Sequence, residues 1–109
     1  MWEPITLAKL NIKISQANLS IDLSNLWNSI KIEPKKWEEK EYGDLGGGFW
    51  VVAIIGQRII WYNDIEEGFN ICTFQYYGQI DSYGCEQYEL NHILYALNTD
   101  NQKSSDYCS

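Results

Sequence analysis

The stretch Phe49-Trp50-Val51-Val52-Ala53-Ile54-Ile55, followed by Gly56-Gln57 and then Arg58-Ile59-Ile60-Trp61-Tyr62-Asn63, constrains this chain more than any other feature. The apolar run is rich in β-branched and aromatic residues and far shorter than the roughly 20 residues of a membrane-crossing helix. It reads as a central strand covered on both faces. Gly at the first of the two intervening positions suits a type II′ turn, which folds the two runs into a hairpin. Strands that are apolar on both sides must be sandwiched between further layers of chain.

The flanking sequence supplies those layers. Residues 69–77 predict a third strand, ended by Gly78 and aromatic on both faces. Leu23, Leu26, Trp27 and Ile30 recur at i, i+3, i+4, i+7 behind Asp22, which predicts an amphipathic helix capped by Asp22 and stopped by Pro34. Leu90, Ile93, Leu94 and Leu97 repeat the pattern and predict a C-terminal helix, with Glu86 and Glu89 in its first turn. Leu10, Ile12 and Ile14 alternate with polar residues, the period of a half-buried strand, although a short helix from Thr6 fits the same stretch. Residues 33–44 mix charges around Trp37 and Tyr42 and read as a solvated loop pinned by those two aromatics. The expected fold is α+β: a single domain over residues 1–98, an antiparallel sheet of three to four strands with helices packed on one face, and a polar tail at 99–109. A chain of 109 residues is long enough to form that core without metals or disulfides.

Charge divides the chain in two. From residue 59 through 102 there is no Lys or Arg, while Asp64, Glu66, Glu67, Asp81, Glu86, Glu89 and Asp100 fall there, so the net charge of -7 belongs to the second half. Tyr62, Tyr76, Tyr77, Tyr83, Tyr88 and Tyr95 lie among those acids. Carboxylates interleaved with aromatic anchors suggest a surface for a basic protein partner. The same acidity argues against nucleic acid and against anionic membranes, whose recognition rests on Lys and Arg. Asp64, Glu66, Glu67 and Asp81 are the expected contacts, with Tyr62, Tyr76 and Tyr77 as candidate anchors. Trp61 and Tyr62 point to opposite faces of a strand, so one of the two is expected in the core.

Signals for chemistry are sparse. His92 is the only imidazole, no Gly-x-Ser-x-Gly elbow is present, and the carboxylates at 64, 66 and 67 lack the spacing of a calcium loop. Gly46-Gly47-Gly48 lead into a strand, whereas a phosphate cradle opens a helix, so they read as a flexible or bulged entry to the strand, where close packing forbids a side chain. No catalytic residue, metal ligand or cofactor site is expected, and the chain reads as a non-enzyme. Cys72, Cys85 and Cys108 form no zinc pattern and read as reduced thiols, and Met1-Trp2-Glu3-Pro4 carries no export signal; both point to the cytoplasm.

Residues 47–70, Gly-Gly-Phe-Trp-Val-Val-Ala-Ile-Ile-Gly-Gln-Arg-Ile-Ile-Trp-Tyr-Asn-Asp-Ile-Glu-Glu-Gly-Phe-Asn, resemble a stretch of small bacterial proteins, and in size, acidity and pattern the chain is similar to the immunity proteins of bacterial toxin systems. The resemblance implies an inhibitor that sequesters a cognate toxin, often a basic nuclease, by direct binding. A ligand-binding domain or enzyme with an aromatic-lined pocket, and a self-associating structural protein, are the alternatives the residues leave open.

Overall fold

A computed structural model describes residues 4–40, 47–81, 83 and 86–107, with side chains to residue 99. Tyr42, Cys85 and Cys108 lie outside the described residues. The element order is α1 (Leu7–Ser15), α2 (Ile21–Ile30), β1 (Lys31–Trp37), β2 (Phe49–Ile55), β3 (Arg58–Asn63), β4 (Gly68–Thr73) and α3 (Leu90–Tyr107). The four strands form one antiparallel sheet in the order β1-β2-β3-β4, and the fold is α+β as expected.

The hairpin is where the sequence puts it. Ile55 pairs with Arg58 across Gly56-Gln57, and Gly56 has φ +59° while Gln57 does not share the positive φ, which is the II′ pattern. The register of β2 on β3 shifts between Val51 and Ala53, a bulge that turns Val52 and Ala53 to the same side. Phe49 and Val51 thus face one layer, and Trp50, Val52 and Ala53 the other.

Helices cover one face. Leu23, Trp27 and Ile30 of α2 and Leu90, Ile93, Leu94 and Leu97 of α3 pack on Val52, Ile60, Tyr62 and Phe69. The opposite face carries Trp37, Phe49, Val51, Ile59 and Trp61, and among the described residues no helix sits there; Phe74, Ile80 and Tyr83, from the irregular chain after β4, close it. Burying side chains of this size contributes roughly 1.5–3 kcal/mol each, so this second layer is a core in its own right.

Five local expectations are corrected. Residues 7–15 form a helix: the Thr6 hydroxyl accepts the Lys9 N–H at 3.2 Å as N-cap, Leu10 and Ile14 share the inward face, and Ile12 is 54 % exposed, where a strand would have buried all three. In α2 the cap is Ser20, accepting from Leu23 N at 3.3 Å, and Asp22 lies in the first turn; the helix ends at Ile30, ahead of Pro34. The expected loop at 33–44 begins instead as edge strand β1, and Pro34 falls where its register shifts between Lys31 and Lys35, a position where a missing N–H costs no ladder bond. The third strand of the sequence reading stops at Thr73, because the chain bends at Gln75 and Tyr76 to cross the sheet. Helix α3 begins at Leu90, so Glu86 and Glu89 precede it, and its backbone continues to Tyr107 through most of the expected tail.

Candidate functional site at the acidic end of the sheet

Strand register defines the two ends of the sheet. Trp37 pairs with Phe49, Trp50 with Tyr62, and Asn63 with Gly68, so all of these lie at one end; Gly56, Arg58 and Thr73 lie at the other. Most of the expected contact residues gather at the first end.

The turn at 63–68 is shaped from within. Asn63 is fully buried, and its Oδ1 accepts the N–H groups of Ile65 (3.0 Å) and Glu66 (3.2 Å), the bonding of an Asx turn. That turn leaves Glu67 at φ +57°, the left-handed region that non-glycine residues rarely occupy, with its side chain exposed and Glu66 half-buried beside it.

Asp64 faces inward. Its Oδ2 accepts the Ile5 N–H at 2.7 Å, and the Ile5 carbonyl accepts Trp50 Nε1–H at 3.0 Å, so the segment before α1 is strapped across β2 and the turn. Oδ1 of Asp64 is buried with no hydrogen-bond partner among the described residues. Desolvation holds this carboxyl above its ordinary value, opposed by the Ile5 N–H and by the positive charge of Lys36. Burial in turn lowers Lys36, whose ammonium donates to the Gly48 carbonyl at 3.2 Å and lies 5.1 Å over the Trp50 ring. Asp64 is thus a clamp of the fold, and its placement differs from that of an exposed contact.

Tyr62 differs likewise. It is 3 % exposed and Trp61 is 0 %, so both members of the pair are core because the sheet is covered on both faces. The Tyr62 ring meets Phe69 at 5.0 Å, and burial, reinforced by the Glu67 and Asp64 carboxylates, pushes its hydroxyl up to about 12.

Tyr76 and Tyr77 are 66 % and 64 % exposed and belong to the crossing segment on the helix-free face, where the Tyr77 ring packs against Trp37 at 4.8 Å with the ring planes tilted by 58°. Beyond them Gly78 O accepts Glu38 N–H (2.9 Å), Ile80 N–H donates to Glu38 O (2.8 Å), and Gln79 bridges to Glu38 in parallel. This brings exposed Asp81 beside Glu38 at a cleft of about 300 Å³ lined by Glu38, Glu39, Lys40, Gln79, Ile80 and Asp81. Exposed Glu86 closes the group, its backbone N–H and C=O both engaged by the buried Asn70 amide at 3.0 and 2.9 Å. Glu38, Glu39 and Glu86 were not among the contacts expected from the sequence, which held no sign that Gln79 returns to β1 or that Asn70 grips residue 86.

Gly48 bears out the packing interpretation of the glycine run: at φ +100°, any Cβ there would collide with the Trp37 carbonyl. Among the described residues, no group of three His, Cys, Asp or Glu is arranged to hold a metal, and no helix is long and apolar enough to cross a membrane. A polar cleft of about 520 Å³ lies between α1, the 63–68 turn and the start of α3, lined by Lys13, Tyr62, Glu67, Phe69, Tyr88 and Asn91 among others.

The chain matches no family model, no curated protein and no solved structure.

Proposed function

We propose that this chain is a non-enzymatic binding protein that neutralises a basic bacterial toxin domain by direct contact, as immunity proteins do. The observation that carries the reading is the gathering of Glu38, Glu66, Glu67, Asp81 and Glu86 at one end of the sheet, beside exposed Tyr77 and Tyr76. A concentrated negative field speeds encounter with a positively charged partner, and amphipathic tyrosines supply contact area that holds the complex once formed. A nuclease is a fitting partner class, because a surface built to grip phosphates is itself basic. In this reading Asp64 and Tyr62 fix the shape of the contact surface from beneath, while Glu66, Glu67 and Asp81 meet the partner. In this reading the three cysteines are reduced thiols of a cytoplasmic protein.

Co-expression tests it. The C-terminal domain of the product encoded immediately upstream is induced with and without this chain. Toxicity of the domain alone and growth on co-expression support immunity; toxicity that co-expression leaves untouched contradicts it for that pair.

The 520 Å³ cleft favours a second reading, a small-ligand site for a polar molecule. A metabolite that raises the unfolding temperature of the wild type, and does so less for Lys13→Ala, supports it; no shift across a broad metabolite set counts against it.

A further inference from the structure

Among the described residues, the outer edge of β4 is open over a short window. The bond from Phe74 N–H to Gln57 O (2.9 Å) fixes which backbone groups of β4 face β3: those of Asn70 and Cys72 point inward, and those of Phe69, Ile71 and Thr73 point outward. Phe69 is engaged, its N–H donating to Tyr88 O at 2.9 Å, whereas the outward groups of Ile71 and Thr73 have no partner among the described residues. The opposite edge, β1, carries Lys31, Glu33, Pro34, Lys35 and Lys36, the charges and proline that keep edges from pairing. No residue from 68 through 80 is charged. Beside the open window an apolar cleft of about 300 Å³ runs between β4 and α3, lined by Arg58, Ile71, Tyr88, His92, Ile93 and Leu97 among others.

We propose that a second copy of this chain docks here, β4 against β4 in antiparallel order about a two-fold axis, joining the two sheets into one. The register follows from the open groups. Outward residues pair with outward residues, and with Phe69 engaged, only Ile71 opposite Thr73, and Thr73 opposite Ile71, uses both. Cys72 then lies opposite Cys72 of the second copy in a non-hydrogen-bonded pair, where Cα atoms approach to about 4.5 Å. The bend at Gln75 carries the chain away before it reaches the Tyr88 segment of the other copy. Antiparallel order also sets the Arg58 end of each β4 against the Glu86 and Glu89 end of the other. Arg58 has no ion pair among the described residues, so the docking supplies its counter-charge and offsets the repulsion of two chains of -7 each. This contact is independent of the acidic-end reading above.

Sedimentation equilibrium of the full chain from micromolar to millimolar concentration tests it. The mass is expected to rise from 12.7 kDa to twice that value. Thr73→Pro removes an outward N–H without touching the β3 ladder, and Thr73→Glu sets a charge on the seam; each is expected to weaken the dimer by roughly tenfold or more with an unchanged circular-dichroism spectrum. With Cys85→Ser and Cys108→Ser, copper-phenanthroline, which takes one electron from each thiol as its proton leaves, is expected to join Cys72 to Cys72, and Thr73→Glu to suppress that product. A single-chain mass at every concentration overturns the proposal, as does a dimer that neither Thr73 variant weakens. If the double serine background does not fold, the sedimentation comparison decides alone.

Discussion

The Asp64 carboxylate accepts the Ile5 N–H at 2.7 Å across 59 residues of sequence, and this bond ties the segment before α1 to the turn that presents Glu66 and Glu67. Removing it with Asp64→Ala should cost roughly 1–2 kcal/mol, less than a fully buried charged bond because the carboxylate is only partly buried. Asp64→Asn keeps an acceptor and sheds the desolvated charge, so its cost should stay under about 1 kcal/mol. Urea unfolding of both variants at neutral pH checks the order.

The same pair predicts a pH signature. Because burial raises the folded carboxyl above its ordinary 3.8, the folded state binds the proton more tightly than the unfolded state in the window just above that value. Stability from this group is therefore present at acid pH and lost as pH rises through the folded value. The difference in unfolding free energy between wild type and Asp64→Asn should fall as pH climbs from 3.8 through the raised folded value. A difference that grows over that range would refute the assignment.

At alkaline pH the sign is the same for Tyr62. Its hydroxyl moves from 10.0 to about 12 in the folded protein, so its contribution is lost as pH rises through that interval. An ultraviolet titration should show a tyrosine step at about 12 that Tyr62→Phe removes.

Much of the fold was legible because it depends on local pattern. The hairpin followed from Gly56-Gln57 between apolar runs, and α2 and α3 from their i, i+3, i+4, i+7 spacing. What misled was ambiguity of period: three alternating apolar residues at 10–14 also fit a helix, and the Thr6 cap decided between the two. β1 was hidden because an edge strand needs few apolar residues and can place Pro34 in a bulge. At the candidate site, Glu66, Glu67, Asp81, Tyr76 and Tyr77 proved accessible at least in part, whereas Asp64 and Tyr62 turned inward. A side chain's direction at a turn is set by long-range partners such as Ile5, which no local pattern encodes.

Gly48 and Gly47 separate two effects. Both have positive φ, but only at Gly48 does a Cβ meet backbone, that of Trp37; at Gly47 the space is open. Gly47→Ala should cost about 1–2 kcal/mol, the left-handed strain alone, and Gly48→Ala distinctly more because β1 must shift. Equal losses in thermal unfolding would contradict the close approach.

Glu67 is strained in the opposite sense, a side chain where glycine would be at ease. Glu67→Gly should raise stability by roughly 0.5–1 kcal/mol while removing one of the exposed acids. Gain of stability with slower partner association would mark the strain as retained for binding, and differential scanning calorimetry beside association kinetics reads both.

The most direct measurement is the association rate of this chain with whichever toxin domain co-expression shows it to neutralise, followed over a salt series for wild type and for Glu66→Gln with Glu67→Gln. The account predicts that the double variant, folded by circular dichroism, associates about tenfold more slowly at low salt and responds less steeply to added salt. An unchanged rate and an unchanged salt slope would contradict it and remove the 63–68 turn from the contact surface.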